Sequence, residues 1–456
     1  MKTRARLPRL IATGATLALA LSLSACGDGN GGASADDGKI HILVYGDATN
    51  KIEKQIVDKF NETSDVKAVL DTIPGADYQK KLQTIISTPQ APDVFFNWGG
   101  GSIKPFVKAD LLLPLDDFIK KNPELESKFL PSVFNNAVVD GKPYGIPMRG
   151  TQPVLLFHNK NVLKKAGVQP PKTWDELLNA VEALKDEGVT PIALGGGDVW
   201  PTQMWFQYLF DRIAGPELFA KALDGDKSAW EAPESKKALK MIRELVDAGA
   251  FGKNYDSVKY TNGGSVALVA QGKAGFELMG SWYYSQQLTD HPDFAEKGLG
   301  YSAFPTVQGG KGDPKNVAGN TNNYYSVLKK TKHPEAVAKF LELMYSDEFV
   351  KAQLDVGNLT TTTNTDEFIE TSATPEYSRF QYDLVADAPS FQLSWDQAYP
   401  QSAASDMHKA IQQFFNGQLD ADGFIKAVVP GHRALEGAGG QQQAVDDQHL
   451  EGEEQG

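Results

Sequence analysis

Apolar, strand-like segments alternate with amphipathic helical segments from residue 40 onward, and this alternation limits the possible folds more than any other feature. The run IHILVY at 40–45 ends at a Gly-Asp turn and predicts a buried strand. A helix with one apolar face is predicted directly after it. Later segments predict strands at 66–70 and 93–96, with a helix at 78–86 between them. This order of elements is typical of parallel βαβ units.

The same pattern continues through the rest of the chain. Two prolines at 170–171 precede Thr173 and Glu176, whose spacing predicts a capping box at the start of a helix. A strand is predicted at 191–194, and another amphipathic helix follows His333. The sequence therefore predicts an α/β protein.

The length of the chain bounds its domain organisation. The folded part is predicted to run from 39 to 435, which is longer than one hydrophobic core usually supports, so two domains or lobes are expected. The last residues, 436–456, are polar, acidic and rich in glycine, which predicts a disordered tail.

The beginning of the chain has the pattern of an export signal. Four basic residues precede a short apolar run that ends at Leu23, which predicts a secretory signal peptide over 1–25. The run is too short to span a bilayer comfortably.

The one cysteine of the chain, Cys26, follows Leu-Ser-Ala at the end of that run, and a single cysteine excludes an internal disulfide. The stretch resembles the bacterial lipobox, which implies that the Cys26 thiol receives a lipid and becomes the new N-terminus. Residues 26–38 would then form a flexible tether to an anchor on the extracellular face of the cell membrane. The alternative is a cysteine that is removed with the signal peptide.

Charge and motif content argue against several functions. The net charge of −13 argues against nucleic acid or an anionic lipid surface as the partner. The seven histidines lack metal-ligand spacing, and a Gly-x-Gly-x-x-Gly match at 27–32 lacks the strand and helix of a dinucleotide site, so neither a metal nor a cofactor is expected. No Gly-x-Ser-x-Gly nucleophile motif occurs. A glycosidase needs only two carboxylates, and the sequence does not exclude such a pair.

Six stretches follow the lipobox and the first strand in a characteristic order. They are YQKKL at 78–82, APDV at 91–94, GKPYGIP at 141–147, LLFHNK at 155–160, PKTWDEL at 171–177 and MGSW at 279–282. Each is weak alone, but together they cover nearly the whole mature chain and resemble the extracellular solute-binding proteins, family 1, of bacterial ABC sugar importers. Two departures are His158, where the family often has tyrosine, and the lack of a proline near 357–360.

The resemblance implies a fold of the type II periplasmic-binding-protein kind. Each of its two lobes would be a mostly parallel sheet flanked by helices, with a ligand cleft between them. The N-lobe would comprise 39–150 plus 305–364, and the C-lobe 151–304 plus 365–435. The resemblance also implies a non-catalytic, monomeric receptor whose partners are a sugar and the transmembrane subunits of an ABC permease.

A sugar site needs flat aromatic rings for the C–H faces of the ligand and polar side chains for its hydroxyl groups. Such residues are expected where strands of an α/β sheet end. In Phe-Asn-Trp-Gly-Gly-Gly at 96–101, Trp98 is predicted to stack on a sugar and Asn97 to bind a hydroxyl. The alternative is that Trp98 packs under the next helix. Ser281 and Trp282 are the second candidate pair, because the family has a stacking tryptophan at this position.

Other candidates carry an open alternative. Asp47 is either a hydroxyl acceptor or a cap for the following helix, and Arg149 either binds a hydroxyl or pairs with a carboxylate. The remaining candidate ligand-binding residues are Trp200, Asn320, Asn322 and Trp395, the last of which would close the cleft. Four aromatic residues are assigned to packing or the surface instead: Trp174, Trp205, Phe206 and Trp230.

The aromatic candidates favour a ligand with more than one sugar ring. The Phe-Asn-Trp-Gly-Gly-Gly stretch resembles actinobacterial receptors for β-linked oligosaccharides, which implies a xylobiose-type ligand ahead of cellobiose and chitobiose. Capture would close the lobes by a hinge motion and present the closed form to the permease. A peptide or polyamine receptor is the alternative, although such a site would need carboxylates or a charge clamp in place of aromatic rings.

Overall fold

The computed structural model of the protein describes residues 37–429. Cys26, the predicted signal peptide and the predicted tail at 436–456 lie outside the described residues. Among the helices of residues 37–429, none is both long and apolar enough to cross a bilayer.

The strands are short and spread along the whole described part of the chain. They are β1 (Lys39–Gly46), β2 (Lys67–Pro74), β3 (Val94–Asn97), β4 (Val138–Val139), β5 (Lys142–Pro143), β6 (Ile146–Arg149), β7 (Gln152–Asn159), β8 (Thr190–Ala193), β9 (Ala274–Gly280), β10 (Leu299–Ser302), β11 (Val317–Asn320), β12 (Asn323–Val327) and β13 (Phe391–Leu393).

Helices separate most of the strands. Those before β8 are α1 (Asn50–Thr63), α2 (Gly75–Ile85), α3 (Lys104–Lys108), α4 (Asp116–Lys121), α5 (Leu125–Lys128), α6 (Pro131–Phe134), α7 (Lys160–Ala166) and α8 (Trp174–Asp186). Between β8 and β10 lie α9 (Trp200–Ala214), α10 (Pro216–Leu223), α11 (Ser228–Glu231), α12 (Pro233–Asp247), α13 (Gly264–Ala270), α14 (Trp282–Asp290) and α15 (Pro292–Lys297). The later ones are α16 (Pro334–Glu342), α17 (Asp347–Asp355), α18 (Asp366–Ile369), α19 (Pro375–Ala386), α20 (Trp395–Ala398) and α21 (Gln401–Phe415).

Two mixed sheets form the centres of two lobes. The first lobe has the strand order β2-β1-β3-β12-β6, and the second has β13-β11-β7-β9-β8 with β10 also paired to β7. The sheets were expected to be mostly parallel, which is wrong. In the first lobe β1 pairs in parallel with β2 and β3, whereas β12 is antiparallel to both β3 and β6. The parallel pairs are connected through helices. Each antiparallel pair of the two sheets includes β7 or β12, which are the first strands after the chain passes from one lobe to the other.

The chain crosses between the lobes at three places. The first crossing lies between β6 and β7, at residues 150–151. The second lies between β11 and β12, at residues 321–322, because β11 still pairs with β7 and β13 of the second lobe. The predicted return near Phe304 is therefore wrong. The third lies between α17, which packs on α1 of the first lobe, and α19, whose Tyr377 belongs to the second core. The crossings touch one another, since Thr151 donates to the carbonyl of Thr321 at 3.1 Å and bridges to Leu359 of the third crossing.

Each lobe has its own hydrophobic core. The first contains Ile42, Phe95 and Tyr325, and the larger second core contains Leu155 and Phe157. The aromatic residues assigned to packing, Trp174, Trp205, Phe206 and Trp230, are all buried in the second core. The two lobes enclose a cleft that is lined by residues at or next to the ends of β1, β3, β9 and β11.

Candidate functional site

A cleft of about 520 Å³ lies between the lobes. This volume is within the roughly 300–1,000 Å³ of typical small-molecule sites. Residues of both sheets line it: Tyr45, Asp47 and Trp98 come from the first lobe, and Trp200 and Trp282 from the second. The predicted residues Trp98 and Trp282 therefore face the same space from opposite lobes.

The first lobe contributes an aromatic cluster at the ends of β1 and β3. The Trp98 ring lies 4.9 Å from that of Phe96 and 5.7 Å from that of Tyr45, in edge contacts between ring centroids. Trp98 is half-buried, so it both packs against its lobe and lines the cleft. Burial raises the pKa of Tyr45 to about 12, and the carboxylates of Asp47 and Asp198 add to this rise. Asp198 belongs to the second lobe, so its charge acts on Tyr45 across the cleft.

The second lobe contributes the aromatic wall, which we define as Trp200, Tyr260 and Trp282. The ring of Trp200 lies 6.1 Å from that of Trp282 and 5.4 Å from that of Tyr260. Gly280 is needed here, because a Cβ at this position would lie 1.9 Å from the Trp282 ring. The indole therefore folds back over the end of β9 and presents its other face to the cleft.

Arg149 is buried in an ion-pair network of the first lobe. Its guanidinium donates to Asp47 at 2.6 Å, to Glu53 at 2.7 Å and to the carbonyl of Tyr45 at 3.0 Å. It also lies 4.9 Å from the centroid of the Phe96 ring. The geometry shows the alternative role of Arg149, pairing with carboxylates; the residue also lines the cleft with 3% of its surface exposed, so its contact with a ligand hydroxyl stays a prediction.

Asp47 orders the turn before α1 and also lines the cleft, so its role as a hydroxyl acceptor stays a prediction. Its Oδ1 accepts hydrogen bonds from the amide and hydroxyl groups of Thr49 at 2.9 and 2.6 Å, so it orders the start of α1. Its Oδ2 pairs with Arg149, and the side chain remains 26% exposed at the cleft. Asp47 therefore presents lone pairs to the cleft from a carboxylate that Thr49 and Arg149 hold in position.

Three predicted polar residues are buried away from the cleft. Asn97 donates to Ser326 at 2.9 Å and accepts from the Gly99 amide, so it shapes the turn after β3. Asn322 donates to Thr361 at 2.8 Å and thereby joins the second and third crossings. Ser281 is fully buried beneath the aromatic wall. These residues position the site, and the prediction that they contact the ligand is corrected.

Trp395 is the clearest correction among the aromatic candidates. It was expected to close the cleft from a loop, but it begins α20 and is 0% exposed. Its ring stacks on Phe219 at 4.9 Å, with the ring planes 5° apart, and its indole nitrogen donates to Gln392 at 3.1 Å. Trp395 therefore belongs to the core of the second lobe.

The three glycines of Phe-Asn-Trp-Gly-Gly-Gly have a structural explanation. A Cβ at Gly101 would lie 2.8 Å from the carbonyl oxygen of Tyr399 in the second lobe. Gly100 has a φ of 52°, and a Cβ at this position would lie 3.0 Å from the carbonyl oxygen of Gln397. Gly100 and Gly101 therefore allow the second lobe to approach this turn closely.

An amide cluster lies at the second crossing, where Asn320 was predicted to bind the ligand. Asn320 lines the cleft, donates to Gln152 at 3.0 Å and accepts from Gln397 at 2.7 Å. Both partners also line the cleft. The three amides offer both donors and acceptors, which suits the hydroxyl groups of a sugar because each of them can donate and accept a hydrogen bond.

Further charged residues of the lining are Asp198, Lys259 and Asp396. Asp198 is held by the amide and hydroxyl groups of Thr261 at 2.7 and 3.0 Å, which ties two loops of the second lobe together. Lys259 adds a positive charge to the lining. Within residues 37–429, no group of three or more His, Cys, Asp or Glu side chains is arranged to hold a metal ion.

Sequence reasoning missed several residues of the lining. They are Tyr45, Gln152, Gln203, Tyr260, Asp396, Gln397 and His408. Tyr45 had a usable signal, because it directly precedes the Gly-Asp turn at the end of β1. Gln152 begins β7, and the others lie on helices or in connections, where no local pattern marks a ligand-facing side chain.

Comparisons with known proteins agree with this architecture. A family model described as "Bacterial extracellular solute-binding protein" matches residues 46–351. Among curated proteins, two uncharacterized ABC transporter extracellular-binding proteins of Pyrococcus horikoshii are each 29% identical, over 59% and 55% of this chain. The matches span only 58% and 54% of the length of those two relatives. The diacetylchitobiose binding protein DasA of Streptomyces coelicolor is 26% identical over 70% of this chain and 74% of its own length.

Two solved structures are similar over most of the chain. One was determined in work on xylan utilization by the thermophilic bacterium Caldanaerobius polysaccharolyticus, and it has a TM-score of 0.78 and 28% identity over 86% of this chain and 99% of the other. A chitin oligosaccharide binding protein has a TM-score of 0.76 and 26% identity over 88% and 99%. Because the family model covers well over half of the sequence and the same two-lobed fold recurs in these structures, the chain belongs to the bacterial extracellular solute-binding protein family.

Proposed function

We propose that this protein is the extracellular receptor of an ABC importer and that it captures a neutral di- or oligosaccharide between its lobes. The observation that carries the proposal is the placement of aromatic rings from both lobes around one cleft with amide groups at its edge. Trp98 lies on one side and the aromatic wall on the other. Flat rings suit the C–H faces of sugars, and amides satisfy hydroxyl groups that burial would otherwise leave unpaired at about 1–3 kcal/mol each.

The aromatic lining of the cleft favours a sugar over a polyamine or a peptide. A polyamine has no flat face to stack on Trp98 or Trp282, and Lys259 adds a positive charge to the lining that would oppose a polycation. A peptide would need a paired clamp for its two charged ends. The aromatic surface of the cleft serves neither ligand as well as it serves stacked sugar rings.

The relatives support β-linked sugars as the ligand class. The names of two of them refer to diacetylchitobiose and to chitin oligosaccharides, and a third structure comes from work on xylan utilization. We place xylobiose-type sugars first and cellobiose and chitobiose after them. In this proposal a lipid on Cys26 holds the receptor at the membrane, and ligand-induced closure about the three crossings presents it to the permease.

A thermal-shift panel tests the proposal. We expect one of xylobiose, cellobiose or N,N'-diacetylchitobiose to raise the melting temperature, because a ligand at a hundredfold excess over its Kd adds about 2.7 kcal/mol to the free energy of unfolding. Maltose, spermidine and a tripeptide are the comparison ligands. A shift given only by spermidine or the tripeptide would contradict the sugar assignment.

Removing either facing indole should weaken sugar binding. We expect Trp282→Ala and Trp98→Ala each to raise the Kd about tenfold to a hundredfold in isothermal titration calorimetry, since each loses a stacking surface of the kind worth about 1–3 kcal/mol. Trp282→Phe keeps an aromatic face and should recover part of the loss. Trp174→Phe is the matched control, because Trp174 is buried far from the cleft lining. Unchanged affinity in both alanine variants would remove the basis of the proposal.

A further inference from the structure

A chain of three polar side chains lies at one end of the cleft, beside Trp200. Its members are Gln203, Asp396 and His408, and all three line the cleft. Gln203 and Trp200 are both on the first turn of α9, three residues apart and therefore on the same helix face. Their Cα atoms are about 4.5 Å apart along the helix axis, so the polar chain begins on the helix face that carries Trp200.

The hydrogen bonds of this chain have a defined direction. The amide nitrogen of Gln203 donates to Asp396 Oδ1 at 3.0 Å, because a carboxylate oxygen accepts. The amide oxygen of Gln203 therefore faces His408 Nε2, 2.8 Å away, and that nitrogen carries the proton. Burial lowers the pKa of His408 below its ordinary value, which keeps the imidazole neutral near pH 7.

The hydrogen-bonded side chains hold the carboxylate of Asp396 in place but use only one of its two oxygens. Gln203 is only 2% exposed, so its amide is locked between its two partners. Asp396 is half-buried and reaches the cleft surface. Within residues 37–429, the hydrogen bond that Asp396 accepts from Gln203 goes to Oδ1, and none is observed to Oδ2. This oxygen is therefore an available acceptor on a positioned side chain, in the same cleft lining as Trp200.

We infer that Asp396 accepts a hydrogen bond from a hydroxyl group of the sugar ring that lies on Trp200, with Gln203 and His408 as positioning residues. The inference rests on the proposed function and extends it to a second polar contact region, separate from the amide cluster at Asn320. A carboxylate can accept from two adjacent ring hydroxyls at once, so this end of the cleft selects rings that keep a free hydroxyl pair there.

Asp396→Asn tests the contact with the ligand. The variant keeps the size of the side chain but replaces an ionic acceptor by an amide, so the Kd of whichever of xylobiose, cellobiose or N,N'-diacetylchitobiose binds the unmodified protein should rise about tenfold to a hundredfold. Asp65→Asn, at an exposed position of the first lobe, is the matched control and should leave the Kd unchanged. Calorimetric titration measures the effect, and circular dichroism checks that each variant is folded.

His408 tests the positioning role, because two variants separate it from simple packing. His408→Gln retains an N–H group near the place of Nε2 and should keep the Kd within about threefold of the original value. His408→Leu removes this donor and should weaken binding about as much as Asp396→Asn. Equal losses in the glutamine and leucine variants would overturn the positioning role.

The inference and the proposed function fail in different ways. If a sugar of the panel binds the unmodified protein and Asp396→Asn binds it equally well, the inference is wrong and the proposed function stands. If no sugar of the panel binds the unmodified protein, both are wrong.

Discussion

Replacement of Arg149 by methionine should lower the free energy of unfolding by about 3–5 kcal/mol. The side chains of Arg149 and Glu53 are each 2% exposed, so removal of the cation leaves the Glu53 carboxylate buried without a charged partner. Burial already raises the pKa of Glu53, and Arg149 opposes that rise. Urea denaturation of the purified protein, followed by circular dichroism, measures the change.

Two further variants isolate the ion pair. The double variant Glu53→Gln with Arg149→Met should be more stable than Arg149→Met alone, because the buried charge is gone. Arg379→Met is the exposed control: Arg379 pairs with Asp366 and Glu370 at the surface, and its loss should cost less than about 1 kcal/mol. If Arg149→Met kept its full stability and only lost sugar affinity, Arg149 would be a ligand-binding residue after all.

Because Arg149 pairs with Asp47, a substitution of Arg149 should also lower the ligand affinity of the cleft. Asp47 is exposed to the ligand on one side and tied to Arg149 on the other. Without the guanidinium, its carboxylate would lose its position and its charge compensation together. A weaker affinity in Arg149→Met is therefore expected as an indirect effect, and it should accompany the loss of stability.

Local patterns in the sequence predicted the elements of the first lobe well. The predicted strand at 40–45 corresponds to β1 at Lys39–Gly46, and the predicted helix at 78–86 to α2 at Gly75–Ile85. Thr173 caps α8 as expected, although the Glu176 carboxylate accepts from the Lys172 amide and not from that of Thr173. These features depend on residues close together in the sequence, so hydrophobic spacing and capping residues are enough to reveal them.

The second crossing was placed too early because strand pairing is not local. β11 joins β7, which precedes it by more than a hundred and fifty residues, and β13, which follows it by about seventy. Nothing in the four residues of β11 distinguishes a strand of the second sheet from one of the first. Asn320 and Asn322 were proposed as ligand-binding residues, but sequence reasoning did not recognise that the chain passes between the lobes at this segment.

Side-chain direction explains why neighbouring candidates had different outcomes. Asn97 and Trp98 were proposed together, yet Asn97 is buried against Ser326 while Trp98 reaches the cleft. Consecutive residues of an extended chain point to opposite faces, so the prediction that both would face one ligand was wrong. On α9 the helical spacing of three residues places Trp200 and Gln203 on one face, and sequence reasoning assigned no role to Gln203.

Stability should depend on Glu277, a buried carboxyl group behind the aromatic wall. Burial raises its pKa to about 8, while the neighbouring hydroxyl groups of Ser265 and Tyr283 partly oppose this rise. The folded protein therefore keeps the Glu277 proton between about pH 5 and 8, where the unfolded chain has lost it. Stability from this group is fully present below the ordinary glutamate pKa and is lost as the pH rises towards 8, with a slope of up to about 1.4 kcal/mol per pH unit.

Glu277→Gln should remove this slope, because glutamine resembles the protonated carboxyl group and does not titrate. Urea denaturation from pH 5 to 8.5 is expected to show a stability advantage of the variant that grows as the pH rises and levels off above pH 8. Glu296→Gln, an exposed substitution in the same lobe, should run parallel to the unmodified protein. A constant difference between Glu277→Gln and the unmodified protein across this range would mean that Glu277 is ionised in the folded state. Since the charge of Glu277 acts on Tyr260, a negative charge there would also affect the wall that the sugar is proposed to contact.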